Sequence, residues 1–245
     1  IPNLRLHICP AAGDDGQAVG AAFHAYKKSG KLVNNSSKVL PYLGISYTNN
    51  VIKKDLDLFN LKYTYYDDSD LCRHLAQYIY CNKIVAIVRG RSEFGPRALC
   101  HRSILANPTW EGMKDHLNKE VKHREYFRPF APVVIEEEAY KIFDLKQESP
   151  YMLLACRVKD EFISKIPSVT HIDKTARVQT VSKIQEPFIH DLLLQFEKLS
   201  GVPVLLNTSF NDNGEPIVES PSNAIQTFLN TNIDILVLEN YIIEK

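Results

Sequence analysis

The 245-residue sequence is short of the features that settle function quickly. No apolar run approaches the roughly 20 residues a membrane-spanning helix needs, and no signal-peptide pattern opens the chain. Its five cysteines, Cys9, Cys72, Cys81, Cys100 and Cys156, are odd in number and scattered, with no CxxC pair. A disulfide framework and a compact zinc site are therefore both unsupported, and buried hydrophobes in a reducing cytoplasm are the default reading. There is no P-loop, no dinucleotide-binding GxGxxG, no G-x-S-x-G elbow, no internal repeat and no low-complexity tract. The net charge is zero, so no nucleic-acid or membrane partner is expected, and any basic site must be local.

What is present is ordinary in bulk and concentrated in places. Apolar residues make up 44% and charged residues 24%, as in a soluble globular chain. Leu4–Ile8 reads as a strand, GDDG as a turn, and QAVGAAFHAYKK as a helix. Residues 29 to 54 read as a linker or surface excursion. Leu71, Leu75 and Ile79 recur at helical spacing behind a cap at Ser69 or Asp70. Ile84–Val88 is a buried strand; helical character follows around Trp110–Val121, then the strands RPFAPVVI, YMLLACRV and ARVQTV. QEPFIHDLLLQFEKLSG is an apolar-striped helix stopped by Gly201. VPVLLNTSF is a strand, SPSNAIQTFLN a helix capped by Ser220, and ILVLENYII a closing strand. This mixture predicts an α/β domain, or α+β, over about 180 residues, preceded by part of another. A chain that opens on Ile1 inside a strand-like segment reads as a piece of something larger.

Three constellations carry chemistry. Residues 89 to 128 hold nine Lys/Arg against five Asp/Glu, an excess of four positive charges. Arg91, Arg97 and Arg102 crowd the stretch GRSEFGPRALCHRSILANP, and prolines stiffen the backbone beside Arg97 and Arg128. Such a set suits phosphate or carboxylate, or else is a solvated surface of ion pairs. Asn207, Thr208, Ser209 and Asn211 follow a strand, where they suit a nucleotide or simply cap a turn. Asp14 and Asp15 of GDDG suit a divalent cation or a ribose, or cap the helix that follows.

Together GRSEFGPRALCHRSILANP, NKEVKHREYFRPFAP, TARVQTV and PVLLNTSFNDNGEPIV resemble the C-terminal part of the carbamoyltransferases that carbamoylate nodulation factors and antibiotics. PAAGDDGQAVGAA resembles the end of that family's catalytic N-terminal domain. The resemblance implies residues 1–60 as a remnant of an actin-like transferase domain with its linker. Residues 61–245 become a YrdC-like domain, a twisted open sheet with flanking helices. It further implies an enzyme that binds ATP with Mg and carbamoyl phosphate as co-substrate, and forms carbamoyl-adenylate. The carbamoyl group then passes to a hydroxyl in the actin-like domain with help from an iron-type cation. Carried over by motif, Arg97, Lys122, Arg128 and Arg177 are the phosphate and carbamoyl ligands. Asn207 and Ser209 hold the nucleotide or carbamoyl group, and Asp14 is a metal ligand. The family's metal-binding histidine pair is missing from this stretch, so the transfer step is expected to need the actin-like domain of the same polypeptide. A stand-alone threonylcarbamoyl-AMP synthase and a YrdC-like RNA-binding module are the rival readings, and a homodimer stays open.

Overall fold

A computed structural model describes residues 6–30 and 41–245. Within them the strand signals become one nine-stranded sheet. In chain order the strands are β1 (Thr64–Tyr65), β2 (Val85–Val88), β3 (Arg102–Ala106), β4 (Ala131–Ile135), β5 (Leu154–Arg157), β6 (Thr175–Val181), β7 (Val204–Ser209), β8 (Ile235–Leu238) and β9 (Tyr241–Glu244). They lie side by side in the order β1-β9-β8-β2-β3-β7-β4-β6-β5. The β2–β8 and β4–β6 pairs are parallel and the rest antiparallel, so the sheet is mixed, within the α/β or α+β expectation. Every residue of β2, β3, β4 and β8 is buried. Such strands are covered on both faces, and β2, β4 and β8 read as continuous apolar runs rather than alternating ones.

The helices are α1 (Gln17–Lys28), α2 (Asn49–Leu58), α3 (Asp68–Tyr80), α4 (Met113–Glu120), α5 (Glu136–Ile142), α6 (Asp160–Ile163), α7 (Pro187–Ser200) and α8 (Pro221–Asn230). The apolar stripes of α3 (Leu71, Leu75, Ile79) and α7 (Leu192, Phe196) are fully buried and join one core. Gly201 takes φ +78° to end α7, the left-handed stop for which glycine costs least. Ser220 accepts from the Asn223 amide and closes a capping box on α8.

Several sequence expectations shift. The cap of α3 is Asp67, which accepts from the Asp70 amide at 2.9 Å; an acidic run offers several candidate caps, and only the one with extended backbone can serve. The segment 49–54 is not linker but the first half of α2, whose Ile52 and Leu56 enter the main core. The expected strand Leu4–Ile8 lies partly outside the described residues, and Leu6–Ile8 forms no strand. Instead the Leu6 backbone exchanges two hydrogen bonds with the Gln147 side chain. ILVLENYII is a hairpin, β8 to β9, because Glu239 takes φ +51° and reverses the chain. Of the cysteines expected to be buried, Cys72 and Cys100 are, while Cys9 and Cys81 are exposed. Among the described residues no helix is long and apolar enough to cross a membrane.

Candidate functional site

Between β2 and β3 the chain makes the arginine-bearing loop, and most of its cations turn out to be committed to the protein itself. Arg102 is 1% exposed. Its guanidinium donates to the carbonyls of Glu219 (3.1 Å), Gly90 (3.2 Å), His101 (3.0 Å) and Ile45 (3.0 Å). Arg91 donates to the carbonyls of Gly44 and Leu43, both at 2.9 Å. Residues 41–45 are also laced to the loop through main-chain bonds from Gly44 N to Ser92 O and from Ser92 N to Ile45 O. One Glu93 oxygen gathers the amides of Leu99 (2.5 Å), His101 (2.9 Å) and Arg102 (3.2 Å). Arg89 pairs with Asp68 at 2.7 Å and stacks on Phe188 at 3.9 Å. A guanidinium whose N–H donors are already taken by carbonyls or a carboxylate has little left to offer a ligand.

Arg97 and Arg177 are different. Each has a buried Nε with no hydrogen-bond partner. Burial lowers the pKa of Arg177, and the charge of Arg97 lowers it further, so the two cations stand close enough to repel. The Arg177 head finds only the Met152 sulfur, at 3.8 Å. Two non-glycine residues with positive φ flank this place, Cys100 at +81° and Met152 at +54°. Strain of that kind collects at functional sites.

On the same face of β6, two residues along from Arg177, stands Gln179. Strand β4 separates β6 from β7, and across it Asn207 Nδ2 donates to Gln179 Oε1 at 2.7 Å and to Ala98 O at 3.1 Å. Gln179 Nε2 in turn donates to Leu99 O at 3.3 Å. Asn207 Oδ1 is buried without a partner. The structure thus brings Arg97, Arg177 and Asn207 together, with Gln179 as a member that the sequence reading missed. Its signal was there, since alternation along TARVQTV puts the glutamine on the arginine's side.

The other expected residues are placed nearby or elsewhere. Lys122, 4% exposed, donates to Asn211 O and Oδ1, both at 2.7 Å, and to Ser209 O at 2.9 Å. Burial pulls its pKa down to about 7, helped by Arg124 and opposed by Asp212 and Glu215. Its three donors are spent bracing the turn after β7. Ser209 sits in that turn and donates to Asn211 Oδ1 at 2.7 Å. Arg128 is exposed and paired with Glu125 at 2.8 Å. Asp14 is exposed, its Oδ1 accepting from Gln17 at 2.6 Å. Among the described residues no group of three or more His, Cys, Asp and Glu converges as a metal site, at Asp14 or elsewhere.

Behind the loop a second cluster forms. His101 stacks on Tyr42 (3.8 Å between centroids, 12° between planes) and bonds Glu186 at 2.9 Å and Arg91 O at 2.6 Å. Burial pulls the His101 pKa down, but the Glu186 bond and charge, with Glu93, carry it above the usual value. His101 and Glu186 help line a cleft of about 660 Å³ that also holds Arg89, Asp191 and Glu239.

Comparison with known proteins gives a consistent result. Residues 76–245 match the family model described as carbamoyltransferase C-terminus. The chain is 39% identical over 244 residues to nodulation protein NolNO of Sinorhizobium fredii, covering 98% of this chain and 36% of that protein. It is 38% identical to NolO of Bradyrhizobium diazoefficiens over 244 residues, covering 98% and 44%. Nodulation protein U of Rhizobium tropici is 49% identical over 140 residues, 57% of this chain and 24% of the relative. The chain therefore spans less than half the length of these relatives. Among solved structures, Sua5 of P. abyssi, crystallised with L-threonine, superposes with a TM-score of 0.50 at 17% identity, covering 70% of this chain and 47% of that one. At that identity it shows the fold alone, the YrdC-like one.

Proposed function

Since the chain belongs to the carbamoyltransferase family as its C-terminal part, we propose that it carries the carbamoyl-activating half of that reaction. It binds carbamoyl phosphate and ATP, and joins the carbamoyl group to the adenylate. The observation that supports this most is the Arg97–Arg177 pair, two neighbouring guanidiniums with buried, unspent Nε donors. A folded protein holds like charges together at a cost, and a bound polyanion repays it. Water cleaves carbamoyl phosphate to carbamate, inorganic phosphate and a proton. Attack of a carbamate oxygen on the α-phosphorus then expels pyrophosphate, so that atoms and charges balance. The protein's part is to hold two polyanions against each other and neutralise them.

In this reading Arg97 and Arg177 bind phosphate oxygens, Asn207 the carbamoyl group, and Arg128, free to swing from its exposed pair with Glu125, the second anion. Lys122 braces the Ser209–Asn211 turn that faces the nucleotide. The acceptor hydroxyl, the actin-like domain of the same polypeptide and its metal complete the transfer. Calorimetry with carbamoyl phosphate and with ATP tests the binding, and carbamoyl-phosphate-dependent pyrophosphate release by the chain together with its N-terminal half tests the chemistry. Binding of both ligands, abolished by Arg97→Ala, is expected. Folded protein giving no heat with either ligand would sink the assignment.

A further inference from the structure

Resting on that reading, in which Asn207 holds the carbamoyl group, we infer that Gln179 is the positioning residue that turns the Asn207 oxygen toward a carbamoyl N–H. Both side chains are 1% exposed. An asparagine amide can face either way, but here main-chain carbonyls fix the direction. Ala98 O and Leu99 O can only accept. Leu99 O takes the Gln179 amide nitrogen at 3.3 Å, which points Gln179 Oε1 at Asn207. Gln179 Oε1 and Ala98 O then take both hydrogens of Asn207 Nδ2, at 2.7 and 3.1 Å. Reversing either amide would set oxygen against oxygen or nitrogen against nitrogen. Asn207 Oδ1 is left as an acceptor with nothing to accept.

A buried acceptor without a donor is costly and calls for a reason. The unspent groups of this patch are complementary in kind. Arg97 and Arg177 offer N–H donors, and the residue next to Arg97 is the same Ala98 whose carbonyl holds Asn207. A ligand satisfying all three presents acceptor oxygens to two guanidiniums and one N–H donor to an amide oxygen. Carbamoyl phosphate has that pattern. Acetyl phosphate has its shape and charge, with a methyl group where the NH₂ should be, and would leave Oδ1 unpaired.

The test is titration calorimetry at low temperature on the chain, with fresh carbamoyl phosphate, acetyl phosphate and inorganic phosphate as separate probes. The wild type should bind carbamoyl phosphate about 30-fold or more tighter than acetyl phosphate, the scale on which a site built to pair an N–H rejects an analogue lacking it. Gln179→Met removes one of the two acceptors that fix the Asn207 amide, leaving Ala98 O alone to hold it, and should bring that ratio down to about 3 or less with the affinity for inorganic phosphate unchanged. Gln179→Glu, neutral in so buried a place, still presents an oxygen to Asn207 and an O–H to Leu99 O, and should recover most of the selectivity. A wild-type ratio near one, with both acyl phosphates lost in Arg97→Ala, overturns the selection while leaving the anion site standing. Binding of none of the three probes overturns the proposed function and this inference together. A Gln179→Met chain that is folded and fully selective removes Gln179 from the scheme. If that variant does not fold, the wild-type ratio and Gln179→Glu still decide.

Discussion

Replacing Arg102 by alanine should damage the fold before it damages chemistry. Its guanidinium serves four main-chain carbonyls, those of Ile45, Gly90, His101 and Glu219, at 3.0–3.2 Å, and the residue is 1% exposed. Removal leaves four acceptors without donors, at about 1 kcal/mol each. Relief of the burial cost of the charge, which lowers the arginine's pKa, offsets part of that. The net is about 3 kcal/mol out of a typical 5–15, or roughly 6–12 °C in melting temperature for a domain of this size. Arg102→Lys keeps the charge and up to three donors but loses the planar fork, and should recover about half. Urea unfolding followed through the single tryptophan, Trp110, reads the loss directly. An Arg102→Ala protein as stable as wild type that no longer binds carbamoyl phosphate would refute this reasoning, since the guanidinium would then be a ligand and not a strut.

Arg177→Ala should do the reverse of Arg102→Ala, abolishing phosphate binding with a melting temperature equal to or slightly above wild type because it relieves the repulsion with Arg97; calorimetry and a thermal melt on one sample check both. Lys122, pulled down to about 7 in the folded chain, binds fewer protons there than when unfolded, so its contribution to stability should rise as the pH climbs from 7 toward the ordinary value of 10.5. Urea midpoints of wild type and Lys122→Met across that range should separate in favour of wild type, and parallel curves would count against the shift. His101 has the opposite sign: its pKa is raised, so the Glu186 tie is fully stabilising below the ordinary 6.5 and is lost as pH rises through the folded value. Glu186→Gln should flatten that slope in a pH series of melts.

Much of the architecture was legible because local signals agreed with the tertiary outcome. The apolar stripe and terminal glycine of α7, the Ser220 cap of α8 and the runs of β2, β6 and β7 each point one way. The misreadings have specific causes. RSILA begins with an arginine and carries no strand signal of its own, because nothing local says that this arginine is solvated by carbonyls from three other places in the chain. The helix α2 hides in a polar stretch whose only core residues are Ile52 and Leu56. The site was legible as a set of cations, and only partly as individuals. Sequence crowding made Arg91, Arg97 and Arg102 look alike, whereas the distinction between a spent and an unspent guanidinium lies in main-chain carbonyls some 50 to 120 residues away.

The lacing of residues 41–45 to the loop bears on how this protein can be divided. The family match begins at residue 76, and a hybrid joined there would look natural on paper. Such a graft would take Leu43, Gly44 and Ile45 from one parent and Arg91, Ser92 and Arg102 from the other. A side chain at position 44 would collide with Ser92, whose Oγ lies 1.8 Å from where a Cβ would stand. Pro10 imposes a similar condition on Gly95, where a Cβ would stand 2.5 Å from the Pro10 carbonyl oxygen. Exchange of the C-terminal portion between relatives should therefore succeed when the junction lies upstream of Pro10, and fail when it falls between the strap and the loop it fastens.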